Sequence, residues 1–553
     1  KILQEGFYHK IQHIELGMTG NASPYFSAAD VRSFLITFLI ASTGRPGPVL
    51  IDIPIDVQEQ SLKHFSYPDR VNIRGYKPSV RGNDLQIKRV VDAIAQSKQP
   101  LICAGGGVFG AKATDELLTF SKKTRLPLVH AYALKPDDFK GVIPKMLVRV
   151  DDVVKAGTPL FYDKYRPQVL FTSPVSGKVT AINRGDKRKI LDVVIAPTAE
   201  QVYEPFEVPT EESADKENVT SALLSSGLWP MIVQRPYGII ADPGQTPKAV
   251  FVSGFDSAPL APDMNYVLEK ELDNLNTGFA MLSKLTPGKV YLGLKAGTSG
   301  VLDRVKGVEV RAFDGPHPAG NVGVQIHHID PINKGDLVWT VDIQHVAMIG
   351  RFFRTGRVDM SKIVALTGSE TTDPRYFSVL SGIPVGSIAR QVEIRPQRAG
   401  DRVRLISGNV LTGKKVEPDG YLGFYSNQVT VIPEGNKYEF LGWGMPRLDK
   451  FSVSKSYFSW LTPRKRYNLD TNMNGGVRAY VVTGLYDKYL PMDIYPLYLL
   501  KAILAGDIDK MENLGIYEVV EEDFALCEFV DPSKTEMQDI VRRGIELMIK
   551  ELN

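Results

Sequence analysis

Cysteine is nearly absent from this sequence: Cys103 and Cys527 are the only two in 553 residues. Two thiols so far apart cannot complete a four-thiolate zinc site or hold an iron–sulfur cluster, which takes about four. They exclude a disulfide framework and fit a reducing compartment. Long apolar runs are also missing. The longest, Phe34 to Ala41, is eight residues with Thr37 inside it, against the roughly 20 that a membrane helix needs. The opening Lys1-Ile2-Leu3-Gln4-Glu5 lacks the apolar core of a signal peptide, so a membrane role is expected only from outside the bilayer. Charge of one sign is scarce too. The 66 Lys plus Arg face 63 Asp plus Glu, a net +3, which argues against nucleic acid as a partner. A chain of this length buries several cores, about three to five domains' worth.

What is present is an α/β texture. Val49-Leu50-Ile51-Asp52-Ile53-Pro54 and Pro100-Leu101-Ile102-Cys103-Ala104 read as buried strands. Gln86 to Gln96 carries helical spacing at Ile87, Val90, Val91 and Ile94. A second helix is expected from about Lys112 to Thr124, after the Gly105-Gly106-Gly107 turn, which makes the parts of a βαβ unit. Met146 to Ile195 is rich in short β runs with turns at Gly157, Gly177 and Gly185. Glu200 to Glu217 holds seven acidic residues and two prolines and reads as a solvated connector. Strands return at Ala249-Val250-Phe251-Val252, Val290-Tyr291-Leu292 and Val308-Glu309-Val310, with a helical stretch from Asn265 to Leu285 between them. From Lys362 to Phe440 β runs alternate with Gly turns, and from Asp493 the pattern is mostly helical.

Three constellations invite chemistry. Gly105-Gly106-Gly107-Val108-Phe109-Gly110 fits GxGxxG formally, but no acidic residue follows about 20 positions on, where a ribose would need it, so an ordinary tight turn is preferred. His317, His327, His328 and Asp330 fall within fourteen residues. Imidazole plus carboxylate suits zinc or iron, yet adjacent His327 and His328 in an extended strand point to opposite faces. A polar cleft wall is the preferred reading, and no metal is expected. The stretch from Val148 to Leu160, followed by Phe171 to Val179, resembles the barrel-sandwich hybrid of biotinyl and lipoyl carriers. Lys164 lies near the carriers' modified position, but Tyr165-Arg166-Pro167 follows it, which is not the carrier pattern. An unmodified docking module is preferred over a carrier.

Two family resemblances follow from longer motifs. Ile40-Ala41-Ser42-Thr43-Gly44-Arg45-Pro46-Gly47-Pro48-Val49-Leu50-Ile51-Asp52-Ile53-Pro54 and Leu101-Ile102-Cys103-Ala104-Gly105-Gly106-Gly107 make residues 36–129 similar to the central domain of acetolactate synthase, a thiamine-diphosphate enzyme. That family needs a glutamate in an earlier domain and a GDG-type metal motif; no Gly-Asp-Gly occurs here, so an inactive fragment is expected. The second resemblance covers residues 132–553. It rests on Phe313-Asp314-Gly315-Pro316-His317-Pro318-Ala319-Gly320, Trp443-Gly444-Met445-Pro446, Asn474-Gly475-Gly476-Val477-Arg478 and the run from Glu521-Glu522-Asp523 through Cys527 to Lys534. These look like the A subunit of the sodium-translocating NADH:quinone reductase. The two likenesses meet near Val129-His130-Ala131-Tyr132, and the chain reads as a fusion or composite. Positions that supply the first strand of the hybrid in the family are occupied by the other fragment, so an exposed sheet edge is expected.

The second resemblance implies a peripheral subunit on the cytoplasmic face of the bacterial inner membrane. Its partners are the other subunits of the reductase, chiefly the membrane-embedded B subunit, with FAD, FMN, riboflavin and a 2Fe-2S centre carried elsewhere in the complex. No cofactor and no catalytic residue are expected on this chain. The family's fold resembles the flavoprotein subunit of complex I. Where that relative has a glycine-rich flavin loop, this chain continues Trp229-Pro230-Met231-Ile232-Val233-Gln234-Arg235-Pro236-Tyr237. Bulky side chains there remove the close backbone approach a phosphate needs. A flat quinone head group suits Trp229, Arg235 and Tyr237, and Gly315, His317, Pro318, Gly320 and His328 form a second candidate cleft. The expected architecture is a multi-domain α/β chain. A βαβ fragment (1–130) leads into a barrel-sandwich hybrid (131–197) and an acidic linker (198–217). A Rossmann-like domain (218–345), an SLBB or β-grasp-like domain (346–445) and a mostly helical C-terminal region (446–553) follow.

Overall fold

The structure, a computed structural model, describes residues 12–15, 49–52, 84–96, 102–104, 113, 116, 120 and 128–552, apart from 397–401, 436–438, 440, 443, 454, 463 and 474–483. It divides into two compact units, 1–100 and 101–553. In the first, strands β1 (Gln12–Glu15) and β2 (Val49–Asp52) pair in parallel. Helix α1 (Asp84–Gln96) forms over the spacing that predicts it, with Asp84 in its first turn, where a carboxylate meets the positive end of the helix dipole. Its Ile87, Val90 and Val91 are exposed.

In the second unit β3 (Ile102–Ala104) pairs in parallel with β4 (Leu128–His130). The second unit begins at Leu101 and takes in both of these strands. The glycine turn at 105–107, and nearly all of the helix expected over 112–124, lie outside the described residues.

Strands β5 (Tyr132–Leu134), β6 (Pro144–Met146), β7 (Val153–Val154), β8 (Pro159–Asp163), β9 (Leu170–Thr172), β10 (Gly177–Arg184) and β11 (Ile190–Pro197) form two facing sheets, ordered β5-β11-β10-β7 and β6-β8-β9. Leu160, Phe161, Phe171, Val179, Val193 and Ile195 fill the space between them, with Phe161 stacked on Phe171 at 4.6 Å. This is the barrel-sandwich hybrid. Lys164 sits exposed in the β8–β9 turn, its amine 5.2 Å above the Tyr165 ring. The expected open edge is covered. The Ala133 N–H donates to the Gly382 carbonyl at 2.9 Å and Lys135 Nζ to the Tyr421 carbonyl at 2.9 Å, both in loops of the later five-stranded sheet.

The acidic connector is solvated along most of its length, with Glu200, Glu207, Glu211, Glu212, Asp215 and Glu217 exposed, but it is pinned near its start. The Glu204 N–H donates to Ala156 O at 2.9 Å, its carboxylate accepts from Lys155 and Thr158, and Phe206 packs edge-on to Phe352 at 5.7 Å. Helix α2 (Lys216–Ser226) then starts on an Asp215–Asn218 capping box and stops at Gly227 (φ 71°).

A six-stranded sheet is built from β12 (Ile232–Arg235), β13 (Ile239–Ile240), β14 (Ala249–Ser253), β15 (Val290–Lys295), β16 (Glu309–Phe313) and β17 (Val338–Val341), ordered β13-β12-β17-β14-β15-β16. The four strands from β17 to β16 are parallel. β17 is buried at every position, as a strand covered on both faces must be. Around it lie α3 (Met264–Val267), α4 (Leu272–Ser283), α5 (Val322–Ile329) and α6 (Ile343–Thr355). The single helix expected from Asn265 to Leu285 is two, because Leu268 leaves helical geometry at the end of α3. His327 and His328, expected in an extended strand, sit on helix α5.

A five-stranded sheet follows, with β18 (Ser361–Thr367), β19 (Arg375–Leu380), β20 (Val403–Ser407), β21 (Lys414–Val416) and β22 (Gln428–Pro433) ordered β19-β18-β22-β20-β21, and short helix α7 (Val385–Ala389). Regular helix resumes only with α8 (Pro496–Ala505), α9 (Ile508–Asn513), α10 (Ala525–Val530) and α11 (Met537–Leu552). The part of the C-terminal region before Pro496 is irregular among the described residues apart from short turns. No helix among the described residues is long and apolar enough to cross a membrane.

Helices α4 and α6 cross where glycine meets backbone: a Cβ on Gly278 would strike the Val346 carbonyl, and one on Gly350 the Asn274 carbonyl. Overpacking of this kind costs about 1–3 kcal/mol. Gly350→Ala is expected to destabilise the second unit by that amount, read by calorimetry; a loss below about 0.5 kcal/mol would mean that the helices separate freely.

Candidate functional site

At the carboxyl ends of adjacent strands β14 and β17 lies a cavity of about 400 Å³. The chain leaves β14 toward β15 on one side and returns as β17 on the other, so this is the sheet's topological switch point, where α/β sheets bind ligands. Ser253, Phe255 and Asp256 line it from the end of β14, and Asp342 from the end of β17. His317, Gly320 and Asn321 line it from the approach to α5. Lys140 of the hybrid, Arg235 of β12, Tyr425 and Asn427 ahead of β22, and Glu522 complete the wall.

The glycine-proline loop before α5 is clamped to the end of β14. Ser257 Oγ lies 3.0 Å from His317 Nδ1 and accepts from the Gly320 N–H at 2.8 Å, while Ser253 Oγ donates to the Gly320 carbonyl at 2.9 Å. A Cβ on Gly320 would stand 2.6 Å from the Ser257 nitrogen, so only glycine fits. Burial lowers the pKa of His317 and, helped by the Asp342 charge, raises that of Asp256. Asp342 caps α6 through the Gln344 N–H at 2.8 Å and accepts from Asn427 Nδ2 at 2.8 Å.

A second feature closes the cavity from the C-terminal helices. Arg235, 3% exposed, donates to Asp523 Oδ2 at 3.1 Å and Glu522 Oε1 at 2.5 Å. Burial alone would lower the Arg235 pKa, but the charges of Asp523 and Glu522 more than offset it and raise it. Beside it Glu521 accepts from Arg542 Nε at 2.5 Å and pairs with Lys140 Nζ at 2.6 Å. Burial pushes the Glu521 carboxyl up, yet Arg542 and Lys140 hold it down at about 2. Gly323 makes room for the central pair: a Cβ there would strike Arg235 Nη1 and stand 2.7 Å from Asp523 Oδ1.

The residues singled out from sequence separate. Arg235, His317 and Gly320 share the cavity wall. Trp229 does not: it is fully buried, donates its indole N–H to Ala241 O at 2.8 Å and packs edge-on to Trp339 at 5.4 Å. Tyr237, half-buried with φ 87°, faces Tyr517 at 6.4 Å, and its carbonyl accepts from Arg542. Gly315 takes φ 134°, and the His317–Pro318 peptide is cis. His328 is exposed. Both nitrogens of His327 are engaged: Nε2 accepts from the Asp493 N–H at 3.0 Å, so Nδ1 carries the proton it shares with Glu518 at 2.7 Å. Cys527 is buried, and burial pushes its thiol up to about 12. Sequence reasoning missed Lys140, Asp256, Asp342, Tyr425 and Asn427, none of which stands in a motif.

It also missed a buried polar core behind the cavity. Lys362 Nζ donates to the Phe424 and Ser426 carbonyls at 2.8 Å, and burial brings its pKa down to about 8. His345, 1% exposed between Phe424 and Tyr425, has no hydrogen-bond partner at Nδ1. Burial lowers its pKa to about 4, with Asp342 and Lys362 acting in opposite senses.

Comparison with known proteins agrees with this architecture. Residues 118–198 match the NqrA N-terminal barrel-sandwich hybrid domain, 214–358 the NqrA second alpha/beta domain and 363–417 the NQRA C-terminal domain. Residues 87–142 match the central domain of thiamine pyrophosphate enzymes, which overlaps the first match over 118–142. The A subunit of the Na(+)-translocating NADH-quinone reductase of Tolumonas auensis is 41% identical, over 75% of this chain and 93% of its own length. The proteins of that name from Yersinia pseudotuberculosis and Pasteurella multocida are each 39% identical, over 75% and 76% of this chain and 93% of their own lengths. A crystal structure of an NAD+-reducing [NiFe]-hydrogenase aligns over 63% of each chain at 13% identity and a TM-score of 0.32, too low to bear on the fold. The hybrid and its following sheets thus define a mixed α/β, multi-domain protein. The chain belongs to the NqrA family, the A subunits of Na(+)-translocating NADH-quinone reductases.

Removing one partner of a buried pair leaves the other charged and desolvated, at a cost of about 3–5 kcal/mol. Arg235→Met is expected to destabilise the second unit by that amount in denaturant unfolding, and Arg235→Met with Asp523→Leu to recover most of it. Equal losses in the single and double variants would show that the pair does not act as a unit.

His345 sets a pH dependence. The unfolded chain protonates this ring near pH 6.5 and the folded chain only near pH 4, so the unfolded state binds more protons in between. Stability therefore falls as the pH drops through that window, by up to about 1.4 kcal/mol per unit. Unfolding midpoints from pH 7 to 4 should fall less steeply for His345→Gln than for the parent; parallel curves would refute it.

Proposed function

We propose that this chain is the peripheral A subunit of a respiratory Na(+)-translocating NADH:quinone oxidoreductase, supporting quinone reduction coupled to sodium export from the cytoplasmic face of a bacterial inner membrane. The observation that carries this reading is the extent of the likeness: relatives bearing that name are matched over 93% of their length at 39–41% identity. The thiamine-dependent and carrier alternatives have no comparable support.

Within this reading, the hybrid at 131–197 leads through the linker at 198–217 to a Rossmann-like domain at 218–345, supported by the four parallel strands β17-β14-β15-β16. An SLBB or β-grasp-like domain at 346–445 is supported by the mixed sheet around α7. Flavins and the iron–sulfur centre belong to other subunits. The turn Trp229–Met231 is wholly buried, which supports a loop that does not hold a flavin phosphate. Trp229 serves packing, and Tyr237 lies off the cavity wall. The quinone reading rests on the cavity, where His317 holds Ser257 with one ring nitrogen and leaves the other for a carbonyl acceptor. The membrane-embedded B subunit is the expected principal partner.

The test is co-purification from detergent-solubilised membranes through a C-terminal tag. Recovery of the flavin-bearing membrane subunits, with Na(+)-stimulated NADH:quinone reductase activity that falls when the chain is deleted and returns on complementation, is the expected result. A chain recovered alone, with membrane activity unchanged by its deletion, would overturn the assignment.

A further inference from the structure

We propose that the irregular lobe of residues 441–473 is a contact surface for an anionic phospholipid bilayer. This segment carries six Lys and Arg against two Asp. Its net charge is +4. Arg447 and Lys450 are neutralised locally by Glu439 and Asp449. Lys455, Arg464 and Arg466 have no acidic partner among the described residues, and all three are exposed.

The same lobe holds large apolar side chains out in solvent. Phe458 is 52% exposed, Trp460 51% and Leu461 58%, side by side on one short turn. Leu448 and Met445 are half exposed as well. These side chains are not displayed by a loose strand. Tyr457 is buried and donates to the Gly442 carbonyl at 3.0 Å, the Ser459 N–H donates to Arg447 O at 3.1 Å, and Lys465 Nζ reaches Leu448 O at 2.6 Å. The lobe is cross-tied through its backbone and turns its apolar side chains outward.

An indole, a phenyl ring and leucine next to Arg464-Lys465-Arg466 match the interfacial layer of a membrane. Aromatic rings lodge at headgroup depth there, and cations gain from the negative surface potential. A protein partner fits less well, because the buried centres of protein interfaces are depleted in lysine and this surface brings several unpaired cations with its aromatics. The inference stands on this surface alone and does not need the reductase assignment; each fails or survives by its own experiment.

The full chain is mixed with sedimentable vesicles of pure phosphatidylcholine or of phosphatidylcholine with phosphatidylglycerol. It should partition onto the anionic vesicles, with a blue shift of Trp460 emission, and release as salt rises. K455A/R464A/R466A should weaken the partition about five-fold for each cation removed, and F458S/W460S should weaken it independently. Both variants should keep the parent's thermal midpoint, since only exposed side chains change. Equal partition onto both vesicle types, or variants that bind like the parent, would overturn the proposal. So would a chain that ignores vesicles while these variants lose a co-purifying membrane protein of the complex, which would make the lobe a protein interface.

Discussion

The buried Arg235–Asp523 pair is the interaction on which the arrangement of the second unit depends. One partner ends a strand of the six-stranded sheet, and the other stands 288 residues later beside the C-terminal helices. Around it Glu522, Glu521, Arg542 and Lys140 add charges from three parts of the chain, three cations to three anions. A desolvated guanidinium tolerates burial only with its partners in place. The C-terminal helices, the sheet and the hybrid are thereby held to one geometry. The apolar cluster of Phe251, Val324, Val338, Phe524 and Val541 packs alongside and supplies the bulk of the attraction. The ion cluster adds what apolar packing lacks, a fixed register.

The cavity inherits its shape from that register. Its wall takes Lys140 from the hybrid, Arg235 from the sheet and Glu522 from the C-terminal region. Its other side is set by the serine clamp on the Gly320 loop and by Asp342, which caps a helix and holds Asn427 at once. Most of the polar atoms lining it are already engaged by the chain. A ligand there meets a preorganised but largely self-satisfied wall, which suits a molecule with few hydrogen-bond acceptors better than a phosphate.

How much of this was legible in the sequence depends on how local the cause is. Ala249 to Val252 and Val290 to Leu292 declare themselves because β-branched and aromatic residues in short runs have few other uses. Val322 to Ile329 misleads for the same reason. Its valines and isoleucines favour a strand, but the crossover from β16 to the parallel β17 needs a helix, and topology overrides propensity. In the connector at 200–217 the charge count foretells the exposure of six of its seven acids but not the anchor that Phe206 and Glu204 make with distant residues. In the site, Arg235 stands out in an apolar stretch, but its carboxylates lie 287 and 288 positions away. The acids at 521–523 are visible only as a run. Trp229 shows the limit of composition: an aromatic beside a proline looks the same in sequence whether it faces a ligand or another tryptophan.

Net charge has the same weakness as aromatic content, because it averages over space. A total of +3 argues against a nucleic-acid binder, yet it conceals two opposite arrangements. In the interior, three cations and three anions are paired within contact distance and cancel. On the lobe at 441–473, Lys455, Arg464 and Arg466 are exposed with no acidic partner among the described residues. The first arrangement is paired and closed and acts on the fold; the second is open and acts on whatever approaches. Electrostatic potential falls off within about 8 Å at physiological salt, so a surface of this size is read by a partner largely on its own charges. Partner chemistry therefore follows from the local balance at an exposed surface, and the sum over the chain constrains it only weakly.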